Sequence, residues 1–62
     1  MSENNENIGS VVQVIGPTMD IRFPKKLPEL MNAIHVKNET TDEIVTGEVA
    51  QHLGNNLVRC IA

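Results

Sequence analysis

Cysteine and histidine are the residues of this 62-residue chain with the most evident capacity for metal binding or nucleophilic chemistry. Cys60, the single cysteine, follows His52 and Glu48 in sequence, so a metal or thiolate site can be drawn across a hairpin at this end of the chain. Two good ligands are too few for a structural metal, and a lone strand cysteine is usually a small buried hydrophobic residue. His35 has no nucleophile or second carboxylate placed beside it, so we interpret it as a surface or interface residue. We predict no catalytic, cofactor-binding or metal-ligating residues.

We next consider whether the sequence contains a nucleotide-binding site. A phosphate-binding loop needs a spacing such as GxxxxGK[ST], because successive backbone N–H groups cradle the phosphates and the lysine neutralises their charge. That spacing does not occur in the sequence. The four glycines (Gly9, Gly16, Gly47 and Gly54) are scattered, and we predict that each serves a turn or a bulge.

Charge and composition narrow the functional classes further. Eight acidic residues oppose five basic ones, for a formal net charge of -3, so the chain lacks the basic footprint of a nucleic-acid or anionic-membrane binder. The polar, acidic start matches neither a secretory signal nor a transit peptide. No apolar stretch approaches the roughly 18 residues that span a bilayer. A single cysteine cannot close an intrachain disulfide, which fits a reducing compartment.

The first half of the chain predicts two strands. The β-branched run from Gly9 to Ile15 suits a strand with apolar contacts on both faces, and Gly16-Pro17 interrupts it. Apolar residues then alternate with polar ones from Met19 to Phe23, which predicts a half-buried strand. Asp20 and Arg22 share its polar face, where they could contact a neighbouring subunit or join a solvated cross-strand ion pair.

The second half predicts three more strands. Leu27 to Ile34 has helical spacing, so we predict one short helical turn that passes into a strand over Ala33 to Lys37. The polar segment Asn38 to Asp42 predicts a hairpin to a strand that runs from near Glu43 to Leu53. Gly54-Asn55-Asn56 accepts positive φ and predicts a turn into a last strand, Leu57 to Ala62.

Five short strands with turn signals between them predict an all-β chain that folds as a small antiparallel β-barrel. Residues 1–7 read as a flexible polar tail and residues 8–62 as the barrel domain. The expected core is Met19, Ile21 and Phe23, faced by Val45, Val49 and Leu53. Because the sequence stops within an apolar strand, we expect the barrel to be incomplete at its C-terminal end.

Three collinear blocks carry a resemblance to a known family: VVQVIGPTMDIRFP, LPELMNAIHVKN and EVAQHLGNNLVRCIA. Together they resemble the N-terminal β-barrel, or crown, domain of the F-type ATP synthase β subunit, and the EVAQHLG block favours β over α. His35 and Cys60 stand where many members have Glu and Thr, which leaves the source open. The resemblance is specific because it is long and collinear.

The resemblance implies a six-stranded barrel that helps hold the alternating α/β hexamer together in proton-coupled ATP synthesis. Its implied partners are the α-subunit N-terminal barrels, and its implied location is the cytoplasmic side of the cell inner membrane, within a peripheral complex. In the family, ATP, ADP and Mg bind downstream regions, so this segment itself would be neither an enzyme nor a cofactor site. An isolated, incomplete barrel is also expected to self-associate.

The alternative is an independent single-stranded nucleic-acid-binding module of the OB type, which the number of strands alone suggests. Such modules need aromatic stacking platforms and a basic groove. Phe23 is the sole aromatic residue and the net charge is negative, so the sequence favours the assembly domain.

Overall fold

Five strands account for most of residues 7–62, the part of the chain that the computed structural model describes. They are β1 (Ser10–Ile15), β2 (Thr18–Arg22), β3 (Ala33–Lys37), β4 (Ile44–Gly54) and β5 (Leu57–Ile61). Each corresponds to a strand that the sequence predicts. The predicted tail, residues 1–7, lies outside the described residues except for Asn7, whose side-chain amide donates a hydrogen bond to the Lys26 carbonyl. Across the described residues, no helix is both long and apolar enough to cross a bilayer.

The strands form one antiparallel sheet in the order β1-β2-β5-β4-β3. The sheet curls into a half-barrel, so the predicted all-β barrel architecture is confirmed. A cleft of about 730 Å³ opens between the edges, and residues of β1 and of β3 both line it. The two edge strands therefore face each other across this cleft.

The core lies on the concave side of the sheet, where β2, β5 and β4 contribute most of the buried side chains. Its members are Met19, Ile21, Phe23, Val49, Val58 and Cys60. The expected β2 face and Val49 are confirmed. Val45 and Leu53 were expected in the core as well, but Val45 is 42% exposed and Leu53 is only partly buried. Both lie near the ends of β4, away from Val49 at the centre of the sheet.

The strand β1 differs from its prediction. A strand with apolar contacts on both faces was expected, yet all six of its residues are exposed. The reason is its place in the sheet: β1 is an edge strand that pairs with β2 on one side only within the described residues. Its β-branched composition therefore predicts the strand correctly and its burial wrongly.

The segment before β3 also differs from its prediction. A turn at Leu30 and Met31 replaces the predicted helical turn, and Met31 adopts a φ of 72°. The chain is held there by pairing with β4: the Met31 amide donates to the Val49 carbonyl at 2.8 Å, and the Val49 amide donates to the Asn32 carbonyl at 3.0 Å. These backbone bonds outweigh the helical spacing of the apolar side chains.

The last hairpin, between β4 and β5, has the turn that the sequence predicts. Gly54, Asn55 and Asn56 have φ values of 89°, 55° and 64°, the left-handed conformations that glycine and asparagine tolerate best. This turn returns β5 antiparallel to β4 and places β5 at the centre of the sheet. The turn thereby brings Val58 and Cys60 into the core.

Candidate interaction surface

The residues considered for metal or thiolate chemistry do not come together. Cys60 lies on the core side of β5, opposite Met19 and Val49. Glu48 is opposite Ile61, the next residue along β5, so its side chain is on the outer face. The His52 ring donates from Nε2 to the Pro28 carbonyl at 2.7 Å. Among the described residues, no three His, Cys, Asp or Glu side chains form a metal-binding group.

The Cys60 thiol is fully buried, as expected for a small hydrophobic residue. Burial, and secondarily the negative charge of Asp20, raises the pKa of this thiol. A raised pKa lowers the fraction of thiolate, which is the reactive form. The environment of Cys60 therefore suits packing and disfavours nucleophilic chemistry.

His35 is exposed on β3, which confirms it as a surface residue. Its Nδ1 lies 3.2 Å from the hydroxyl of Thr46, the residue opposite it on β4. The glycines are structural, although only Gly16 and Gly54 occupy turns with positive φ. The prediction of a turn or bulge is wrong for Gly9 and Gly47. Gly9 lies just before β1, outside any turn or bulge. Gly47 lies in the regularly paired part of β4 opposite Ile34, where its missing side chain admits the Met19 methyl group.

A polar row crosses the outer face of the sheet. In register across four strands lie Gln13 of β1, Asp20 of β2, Arg59 of β5 and Gln51 of β4. A bulge between Val49 and Gln51 shifts the alternation of β4 and brings Gln51 into this row. By strict alternation from Val49, Gln51 would lie on the core face instead.

At the centre of the row, Arg59 and Asp20 form a bidentate ion pair. Arg59 donates from Nε to Asp20 Oδ1 at 2.9 Å and from Nη2 to Oδ2 at 3.1 Å. Asp20 is only 8% exposed, although it lies on the outer face. The hydrogen bonds from Arg59 lower the pKa of the Asp20 carboxyl, opposed by burial and reinforced by the charge of the guanidinium.

Sequence reasoning placed Asp20 on this face but missed its partner. It considered Asp20 together with Arg22, two residues along the same strand, whereas the structure leaves Arg22 exposed and pairs Asp20 with Arg59. One signal could have indicated Arg59: it is the only charged residue of the apolar run LVRCI. A charge at the centre of an apolar strand needs a partner nearby.

Apolar side chains flank the ion pair on the outer face. Ile15, Thr18 and Ile61 are in register across β1, β2 and β5, in the row next to that of Asp20 and Arg59. Ile15 and Ile61 are both exposed, on either side of Thr18. We call Ile15, Thr18, Ile61 and Arg59 the outer patch. Exposed aliphatic side chains around a well-held arginine are typical of a protein-contact surface.

A comparison with known protein families identifies the family of this domain. The family described as the ATP synthase alpha/beta family, beta-barrel domain, matches residues 11–62. The chain belongs to this family. The match covers all five strands except the first residue of β1. The matched region is the β-barrel domain, which is a non-catalytic part of that family.

Proposed function

We propose that this chain is the N-terminal barrel of the β subunit of an F-type ATP synthase and acts as an assembly domain. It docks beside the barrel of an α subunit and so keeps alternating subunits of a hexamer in register. The observation that carries the proposal is the outer patch, where Ile15 and Ile61 are exposed beside an arginine already held by Asp20. A partner can cover this patch without leaving the guanidinium unpaired.

The assignment to β has its support in the sequence. The block EVAQHLGNNLVRCIA resembles the β subunit more than the α subunit and forms the β4–β5 hairpin. We further propose that the domain works on the cytoplasmic side of the cell inner membrane within a peripheral complex. Nucleotide and Mg would be bound by other parts of a full-length subunit, which would supply the chemistry of proton-coupled ATP synthesis.

Partner preference tests the proposal. The chain is titrated with the N-terminal barrel of an α subunit and, separately, with that of a β subunit, and binding is followed by NMR. We expect binding to α alone, because alternation in the ring requires contacts between unlike subunits. Ile61→Asp should weaken binding to α by about tenfold or more, since it places a carboxylate in an apolar contact.

Ile44→Asp is the matched control, because Ile44 is an exposed isoleucine on the outer face of β4, away from the patch. It should bind α like the unmodified chain. Equal binding to both barrels, or equal weakening by both substitutions, would overturn the proposal. Nucleic-acid binding finds no support in the structure, since the only aromatic ring, Phe23, is buried and cannot act as a stacking platform.

A further inference from the structure

Arg59 has hydrogen-bonding capacity left over after it has paired with Asp20. A guanidinium carries five N–H donors. Nε and Nη2 donate to the two oxygens of the Asp20 carboxylate, whereas Nη1 donates to none of the described residues. The arginine side chain is 40% exposed and that of Asp20 only 11%. A protein that covers this face would therefore contact the guanidinium and hardly contact the carboxylate.

Asp20 holds this guanidinium in one orientation. Two parallel hydrogen bonds fix the plane of an arginine fork as well as its position. The backbone adds to the restraint, because Asp20 and Arg59 are directly opposite each other in the pairing of β2 with β5. An arginine that is ordered before binding loses less side-chain entropy when a partner arrives, and arginine is enriched among the residues that dominate interface energies. Arg59 is therefore prepared to act as a donor to a partner.

The charge of Arg59 is already balanced within the chain. Asp20 lies within hydrogen-bonding distance of it, and the residues on either side of the pair in the polar row, Gln13 and Gln51, are neutral amides. Arg22, the other charged residue of β2, is exposed in the next row of this face. A carboxylate brought to Nη1 by a partner would lie close to Asp20, and like charges at an interface repel each other. An uncharged oxygen meets no such repulsion.

We propose that Arg59 is the central donor of the outer patch, that its partner offers Nη1 an uncharged oxygen such as a backbone carbonyl, and that Asp20 is a positioning residue. This inference rests on the proposed function, because the partner is the barrel of an α subunit. It adds the chemistry of the contact, a neutral acceptor beside the apolar contacts of Ile15 and Ile61.

The direction in which Asp20→Asn changes binding to the α barrel tests the proposal. With an uncharged acceptor, losing one of the two anchoring bonds loosens the guanidinium, and the dissociation constant should rise about fivefold or more. With a carboxylate acceptor, removing the negative charge of Asp20 would instead strengthen binding. Asp42→Asn makes the same chemical change in the ion pair with Lys37, away from the outer patch, and should leave the dissociation constant unchanged.

Arg59→Lys separates the geometry of the donor from its charge. Lysine keeps the positive charge beside Asp20 but lacks the planar fork, so it cannot hold the carboxylate and also present a fixed donor to the partner. The dissociation constant for the α barrel should rise about tenfold or more. Unchanged binding would show that any cation is sufficient at this position and would overturn the proposal.

NMR of the unmodified chain locates the contact and does not depend on any variant being folded. The Nη1 proton signals of Arg59 should shift and exchange more slowly with water as the α barrel is added. Unshifted Nη1 signals in a complex that forms, or equal or tighter binding by Asp20→Asn, would overturn this inference and leave the proposed function standing. Failure of the unmodified chain to bind the α barrel would overturn both.

Discussion

The surroundings of Asp20 affect how this chain responds to pH. It lies on the outer face of β2 but is largely covered, and Arg59 holds both of its carboxylate oxygens. The Arg59 side chain is 40% exposed, so solvent screens the pair and its contribution to stability is modest. Its geometry nevertheless ties β2 to β5 at the centre of the sheet.

Acid titration should reveal this ion pair. The hydrogen bonds from Arg59 lower the pKa of Asp20 in the folded state below its unfolded value, so its contribution is fully present above the unfolded pKa. That contribution is lost as the pH falls through the lowered, folded pKa. We expect Asp20→Asn to be less stable than the unmodified chain at neutral pH and to lose less stability on acidification. Urea midpoints between about pH 7 and pH 2 measure both effects.

Asp42→Asn is the control, because it removes an exposed carboxylate from the surface pair with Lys37. It should hardly alter the neutral stability. If the unmodified chain and Asp20→Asn lose the same stability on acidification, this ion pair does not contribute to the pH dependence of folding.

At the scale of the elements, the start of β1 depends on a close approach of Gly9 to the end of β2. A Cβ atom at Gly9 would lie 2.5 Å from the Arg22 carbonyl oxygen and 2.9 Å from Phe23 Cδ2. The oxygen belongs to the backbone of a paired strand and cannot rotate away. Glycine therefore lets the chain enter the sheet over the buried Phe23 ring.

Gly9→Ala should destabilise the fold by about 1–3 kcal/mol, because the added methyl group overpacks the site and displaces the entry to β1. Ser10→Ala, at the adjacent exposed position, should cost less than about 0.5 kcal/mol. Urea unfolding of the two variants beside the unmodified chain gives the comparison. Equal midpoints for the two variants would mean that the backbone adjusts at no cost and that the close approach is unimportant.

At the scale of the whole molecule, the described residues form a half-barrel with a small core and an open cleft between β1 and β3. A chain of this length buries only about 60% of the surface that it exposes when unfolded, so its stability is small. Any ligand that binds the native state should therefore produce a visible rise in melting temperature.

Saturating Mg-ATP should leave the melting temperature of this chain unchanged. The sequence has no phosphate-binding loop, and the candidate chemical residues are dispersed between the core and the outer face. Differential scanning fluorimetry with Mg-ATP, with Mg alone as the control, provides the measurement. A rise that grows with ATP concentration would reveal a nucleotide site and contradict the assignment of this domain to assembly alone.

Local patterns in the sequence were sufficient to predict the five strands, the final turn and the core face of β2. The alternation from Met19 to Phe23 predicts the buried face of β2, and the residues Gly54 to Asn56 predict the turn, because both effects depend only on a few neighbouring residues. The three collinear blocks were likewise sufficient to indicate the family to which residues 11–62 belong.

Only the tertiary structure decided which strands are neighbours. The order β1-β2-β5-β4-β3 leaves the apolar strand β1 exposed at an edge and joins Asp20 to Arg59, 39 positions away. The bulge after Val49 changed which face of β4 carries Gln51. These features depend on long-range backbone pairing and register, where a shift of one residue reverses the faces of a strand. Strand propensity acts locally and contains no information about the partner on the other side of the ladder.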